Sequence, residues 1–306
     1  MEDYNKIIES LGVRYLRSKN IRIIQPLTVE NYYDVGNSVI LLNKGEISFG
    51  EDRHKVREGD MLFIPGGKMS SITYGKYNPV RLTNEDLINN RDKFFGVNTN
   101  PDNFYEIDNY SYVSFEAKVF DSVNFFASLD ITAFIISDNP KLASIIHETV
   151  TEDLSDAPGK DRVIKINTER IVVEILRYIL EKRLFVEQLA TNSTYFKDPR
   201  LLDIFAFIKK NLGGDLSNKV LANVANVSED YVGQYFKMLT GINPQDYIEY
   251  QRMEMAVNLL RTSKKSIREI GREVGYKDTA YFCRRFKMMF GIPAGKMRRR
   301  ESLMNL

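Results

Sequence analysis

Residues 221–242, LANVANVSEDYVGQYFKMLTGI, and residues 271–292, GREVGYKDTAYFCRRFKMMFGI, align without a gap at an offset of 50. Seven positions are identical: Val224/Val274, Tyr231/Tyr281, Phe236/Phe286, Lys237/Lys287, Met238/Met288, Gly241/Gly291 and Ile242/Ile292. Unrelated segments of this length would share about one or two at background residue frequencies. A solenoid needs at least about three copies to bury a continuous core, so two copies read as two small domains or one duplicated domain.

Each copy reads as two short helices. In the second, Ser266 and Glu269 form an S-x-x-E capping box ahead of apolar Ile267, Ile270 and Val274. Gly275 follows where a left-handed C-cap residue is expected. Asp278 then caps a helix over 279–289. In the first copy, Ser217 opens a helix with Val220, Leu221 and Val224, and Ser228, aligned with Asp278, caps the next. Two short helices joined by a tight turn, twice over, describe a tandem helix-turn-helix.

Periodicity assigns the faces of the second helix in each copy. Tyr231, Val232, Tyr235, Phe236 and Leu239 share the inward side of the first, and Phe282, Phe286 and Met289 that of the second. The opposite stripes are Asp230, Gly233, Gln234 and Lys237, and Ala280, Cys283, Arg284 and Lys287, with Thr279 at the helix start. If the segment binds duplex DNA, base and phosphate contacts come from these stripes. Arg284 is the best candidate for reading guanine, because its fork matches the O6/N7 edge, while Lys237 and Lys287 suit phosphates. The competing reading of each residue is a solvated helix face. Between the copies, residues 244–261 form a helix with proline at its start and Tyr247, Ile248, Ala256, Leu259 and Leu260 packing. It spans about 27 Å at about 1.5 Å per residue, a spacer suited to successive major grooves about 34 Å apart.

Charge agrees with a polyanion partner for this region. Residues 196–306 hold 20 Lys/Arg against 12 Asp/Glu, and residues 1–195 hold 23 against 29, within a net charge of +2. At 306 residues the chain suits two domains. No apolar run approaches a membrane span, and the polar start MEDYNKIIES lacks a secretory pattern. A single cysteine, Cys283, suits a reducing compartment, so a cytoplasmic location with no membrane contact is expected.

The repeat resembles the AraC/XylS family of bacterial transcription regulators. The second-unit signature appears as Ile267, Ile270, Val274, Gly275, Tyr276, Tyr281, Phe282, Arg284, Phe286, Lys287 and Gly291. That of the first appears as Leu221, Ala222, Ser228, Tyr231, Phe236, Lys237, Gly241, Pro244 and Tyr247, with Arg252 and Leu259-Leu260 fitting the spacer. Gly271 departs from the usual alanine, at about 1 kcal/mol of helix stability, and proline stands at 293 instead of 294.

Upstream, residues 39–43, 46–50, 61–64 and 70–74 read as short strands broken by glycine turns. The string Gly59-Asp60-Met61-Leu62-Phe63-Ile64-Pro65-Gly66-Gly67 resembles the second motif of cupin barrels. Ser70 stands where metal-binding cupins place a histidine, and the expected H-x-H pair near residues 45–50 is missing. No metal, no cofactor and no enzymatic activity are therefore expected. Residues 84–120 read as an insertion or an irregular strand pair, and the aromatics of 94–126 as core in preference to pocket lining. Arg22, Arg53, Lys76 and Arg81 could meet an anionic ligand, though surface solvation is the favoured reading of each. Helices are expected at 140–153, with Leu142, Ile145, Ile146 and Val150, and at 167–189. The second carries Ile171, Ile175, Leu176, Ile179, Leu180 and Leu184, and is read as a dimerisation helix through Ile171, Ile175, Ile179 and Leu180. Packing on the barrel is the alternative.

The expected fold is α+β in two domains. A β-rich cupin-like barrel (1–137) with flanking dimerisation helices (138–190) and a linker (191–199) precedes an all-α bipartite helix-turn-helix domain (200–306). The resemblance implies a homodimeric regulator that binds double-stranded DNA and RNA polymerase. A small-molecule effector would shift the population of a DNA-competent arrangement, with activation favoured over repression by family analogy. A competing interaction-protein reading keeps the DNA binding but gives the N-terminal domain a protein partner. A repair protein with a methyl-accepting cysteine is disfavoured, because Cys283 sits on the recognition helix.

Overall fold

A computed structural model describes residues 11–34, 36–119, 123–129, 131–185, 199–240, 243–290 and 292–298, with Asn5, Ile8 and Glu9. The chain divides into two compact units, Ile8–Val186 and Met1–Ile7 with Glu187–Leu306. The linker expected at 191–199 lies almost wholly outside the described residues.

The N-terminal unit is built on two sheets. Its strands are β1 (Leu11–Ile23), β2 (Leu27–Tyr32), β3 (Asn37–Lys44), β4 (Ile47–Phe49), β5 (His54–Val56), β6 (Met61–Ile64), β7 (Ser70–Tyr74), β8 (Val80–Leu82), β9 (Phe95–Asn98), β10 (Asn109–Val119), β11 (Val123–Asn124) and β12 (Phe134–Ile136). One sheet runs β12-β6-β3-β10-β1-β9, with β11 paired to β10, and the other runs β5-β4-β7-β2-β8. Among described residues every pairing is antiparallel except β2 with β8. Ile21, Val29, Leu42, Ile47, Leu62 and Ile72, drawn from both sheets, share one buried cluster. The core thus fills the space between the two sheets. Gly59 (φ +87°) and Gly67 (φ +79°) make the turns that frame β6, which accounts for the glycines of that motif.

Residues 84–120 correct the sequence reading. They hold helix α1 (Asn84–Phe94), edge strand β9, a 3₁₀ turn (Pro101–Tyr105) and the long strand β10, which pairs with β1 and β3 at the centre of the larger sheet. Polar residues obscured both long strands. Asn20 and Ser18 of β1, and Asn109, Ser111 and Ser114 of β10, are buried yet satisfied. The Asn109 oxygen accepts from the amides of Asn20 (2.7 Å) and Asn43 (2.8 Å), and its own amide donates to the Phe104 and Ile107 carbonyls, each at 2.6 Å. Asn98 closes the network by donating to Asn20 at 2.8 Å. One side chain therefore ties β1, β3 and the 3₁₀ turn together.

Helices α3 (Pro140–Leu154) and α4 (Lys160–Glu181) follow, after the one-turn α2 (Phe125–Ser128). They pack on each other and on β1 and β10. Glu174 of α4 joins them by accepting from Lys141 (2.8 Å) and Arg177 (2.7 Å). Burial alone would raise the Glu174 carboxyl, but these two cations outweigh it and hold the group below its ordinary range. The dimerisation stripe needs correction here. Ile171, Ile175 and Ile179 are fully buried within the chain and Leu180 is half-buried, so this face packs on the chain's own barrel. Helix α4 also begins seven residues earlier than expected, after left-handed Gly159. Residues 186–189 of the expected helix lie outside the described residues.

Replacing Asn109 by leucine takes the amide donor from two carbonyls and one acceptor from each of the Asn20 and Asn43 amides, which keep only Ser111. Asn109→Leu is expected to destabilise the N-terminal unit by about 3 kcal/mol, read as an earlier urea transition by circular dichroism. An unchanged midpoint would show that the network is incidental to stability.

Candidate nucleic-acid interface

The second unit is all helix among its described residues: α5 (Pro199–Lys210), α6 (Asn218–Ala225), α7 (Glu229–Thr240), α8 (Pro244–Thr262), α9 (Ile267–Glu273) and α10 (Thr279–Phe290), then a short helix over 294–298. The α6–α7 and α9–α10 pairs are the two expected helix-turn-helix units. The Ser266/Glu269 capping box forms in full, and Asp278 accepts from the Tyr281 backbone N–H. Ser217 and Ser228 stand directly before α6 and α7, but Ser217 makes no side-chain cap. The turns differ by one residue. In the first unit Asn226 is left-handed (φ +53°) and Val227 N–H reaches back to the Ala222 carbonyl. In the second Gly275 is left-handed (φ +92°) and Tyr276 N–H reaches the Gly271 carbonyl. Both are Schellman closures.

The unusual Gly271 has a packing reason. A Cβ built on it would stand 3.2 Å from the ring of Phe282, which is fully buried beneath α9. The aligned positions of the first unit carry the converse pair, Leu221 and Val232, both buried. Phe205, Phe236 and Tyr247 form the first unit's aromatic core, and Phe282, Phe286 and Phe290 the second's.

Asp230, Gln234 and Lys237 on α7 are exposed and Gly233 is half-buried. On α10, Ala280, Arg284 and Lys287 are exposed, while Thr279 and Cys283 are half-buried. Two inward assignments need correction. Tyr231 is 44% exposed, stacked on buried Tyr235 at 5.5 Å, and Met289 yields its core place to Phe290. Leu239's side chain lies outside the described residues. Tyr281, aligned with Tyr231, is 47% exposed, and the Arg284 guanidinium stands 6.0 Å from its ring centroid. Each of α7 and α10 therefore offers a phenol beside its exposed stripe. The repeated tyrosine was the signal for this, but the apolar ring assigned it to the core.

Helix α8 binds both units. Its buried residues are Pro244, Tyr247, Ile248, Met253, Ala256, Val257 and Leu260, with the one buried carboxylate Glu254. Gln245 donates to the Leu216 carbonyl (2.9 Å) and Asn218 (3.2 Å) at the first unit. Glu249 takes both arms of Arg285 from α10, one at 2.6 Å, and this pairing holds Arg285 charged even more firmly than usual. Arg252 donates to the carbonyls of Leu212 and Gly214, each at 2.9 Å. That loop lies against the second unit's turn. A Cβ on Gly213 would fall 2.6 Å from the Glu273 carbonyl, and one on Gly275 would fall 2.7 Å from that of Leu212. Glycine is required at both approaches.

Residues 221–300 match the helix-turn-helix domain family. An uncharacterized HTH-type transcriptional regulator of Haemophilus influenzae is 23% identical over 287 residues, 88% of this chain and 89% of that one. The TetD protein of transposon Tn10 from Escherichia coli is 31% identical over 114 residues, 37% of this chain and 83% of its own length. With the lactose operon transcription activator of Staphylococcus xylosus, 32% identical over 99 residues, the match spans 32% of this chain and only 36% of that protein. The crystal structure of ToxT from Vibrio cholerae superposes on 95% of this chain and 98% of its own at a TM-score of 0.52 and 10% identity, a likeness of fold across both units. The chain belongs to the AraC/XylS family and is a DNA-binding transcription regulator. Among the described residues no helix is long and apolar enough to cross a membrane.

Lysine cannot reproduce the planar fork of Arg252, so Arg252→Lys is expected to destabilise the second unit by about 1–2 kcal/mol and weaken DNA binding without altering the preferred sequence. Thermal melting and a binding selection check the two halves of that statement. Gly271→Leu overpacks Phe282 and is expected to cost about 2–3 kcal/mol, and adding Phe282→Val recovers more than half of it. Purely additive losses in the double variant would rule out complementary packing at this pair.

Proposed function

We propose that this chain is an effector-responsive activator that reads two successive major grooves with α7 and α10. The observation that carries this reading is the pair of equivalent polar stripes, both turned to solvent on one unit braced by α8. Arg284 reads a guanine edge, with Thr279, Ala280 and Cys283 beside it. Lys237 and Lys287 hold phosphates, and Asp230, Gly233 and Gln234 complete the first contact surface. By family resemblance the bound regulator engages RNA polymerase in the cytoplasm.

Residues 1–137 act as the sensor, 138–190 as the dimerisation segment, 191–199 as the linker and 200–306 as the DNA-binding domain. A cavity of about 420 Å³ between Phe49, His54, Ile64, Pro65, Met69 and Ala133, within the range of small-molecule sites, supports an effector role for the barrel. Homodimerisation uses the outward side of α4, where Val163 (40%) and Ile166 (47%) are exposed one turn apart, opposite the buried isoleucine stripe.

Selection of a randomised duplex pool by the full chain tests the DNA reading. A bipartite site with halves about one helical turn apart is expected, and Arg284→Ala should weaken binding by about 1–3 kcal/mol and relax one position of one half. Undiminished selection by that variant would remove Arg284 from base reading. For the dimer, Ile166→Glu should convert the sedimenting species to monomer; an unchanged dimer places the interface elsewhere. A ligand screen scored by DNA affinity separates an effector from a protein partner at the barrel.

A further inference from the structure

Between the two helix-turn-helix units lies a cleft of about 870 Å³. Asp215, Ser217 and Gln245 of the first unit's side line it, with Arg272 and Lys277 of the second and Arg252 of α8. The first wall adjoins the α7 stripe. The Asn218 amide, which also contacts Gln245, is 3.7 Å from where a Cβ on Gly233 would stand. The other wall runs through Lys277 and Asp278 into Thr279 and Ala280, the start of the α10 stripe. The cleft therefore lies between the two surfaces that face DNA.

When two recognition helices occupy successive major grooves, the duplex between them presents a minor groove flanked by phosphates. The cleft carries charge suited to that span. Arg252 spends its guanidinium on the loop carbonyls, whereas Arg272 and Lys277 are exposed and close no ion pair with a described carboxylate. The one carboxylate on the cleft wall, Asp215, accepts from the Ser217 backbone N–H at 2.9 Å. Hydrogen bonds from the Ser217 backbone and hydroxyl hold it below its ordinary range, with Lys277 and Arg252 adding to the effect, so it stays anionic.

We propose that this cleft is a saddle for the DNA backbone between the two half-sites, in which Arg272 and Lys277 each neutralise a phosphate while Asp215 opposes them. This rests on the two-groove reading above and adds contacts outside both recognition stripes. The saddle sets register and affinity and carries no base preference.

Salt-dependent binding of the full chain to its selected duplex, followed by fluorescence anisotropy, tests the saddle. Each of Arg272→Gln and Lys277→Gln is expected to lower the slope of log affinity against log salt by about 0.9, roughly an eightfold loss at 0.1 M salt, and the pair by about 1.8. Asp215→Asn keeps an acceptor for Ser217 and removes the opposing charge, so it should tighten binding about threefold. The selected sequence stays the same in all of them. An unchanged slope in the double variant, a shifted base preference at the centre of the site, or weaker binding by Asp215→Asn overturns the proposal. Arg284→Ala run in parallel separates the two readings. If it relaxes the site while the double variant keeps its slope, the saddle alone falls. If the unaltered chain selects no site, both fall.

Discussion

Arg252 holds a loop of one helix-turn-helix unit against the turn of the other, and the geometry of the DNA-binding unit follows from that grip. DNA offers its major grooves at a fixed spacing, so a protein reading two of them gains only if its recognition helices are already set apart correctly. Every degree of freedom left between them would be lost on binding. Gln245, Glu249 and Arg252 fall at i, i+4 and i+7 on α8 and so share one stripe. That stripe reaches the first unit through Gln245, the second through Glu249, and the loop between α5 and α6 through Arg252. The apolar residues of the same helix supply burial, and the polar stripe supplies direction.

The same division of labour runs through the barrel. Its interior is apolar and comes from alternating strand residues. Across β1, β3, β9 and β10, a run of asparagines and serines is buried in place of aliphatics. A buried amide network fixes register more strictly than apolar packing does, because a slip by one residue would leave several donors and acceptors without partners. Helices α3 and α4 then cover β1 and β10, which leaves the opposite side of α4 to solvent.

How much of this was legible in the sequence depended on how regularly each segment alternates. The four strands read from residues 39–74 all exist, two of them to the residue, because apolar runs and glycine turns bound them. The 13-residue β1 was missed and β10 was reduced to an irregular pair, since their buried positions hold asparagine and serine and β1 carries a bulge between Tyr15 and Arg17. Helical periodicity found α3, α4 and the four repeat helices, yet it could not say whether an apolar stripe meets the same chain or another. For Ile171, Ile175 and Ile179 it meets the same chain. In the interface, type and spacing identified the exposed stripes. Arg252 and Arg285 bind carbonyls and a carboxylate far along the chain, and the Arg272–Lys277 wall joins a loop some sixty residues earlier, a proximity that no local pattern encodes.

The converse pairs at the repeat's core, Leu221 with Val232 and Gly271 with Phe282, bear on the history of the gene. A duplicated segment is exposed to unequal crossing-over and gene conversion, which tend to make the copies alike again. Here, exchange of a single helix would set leucine against phenylalanine in one product and glycine against valine in the other, one overfilled and one hollow. The exchanged bulk thus makes the two copies non-interchangeable at their cores, although their helices follow one pattern.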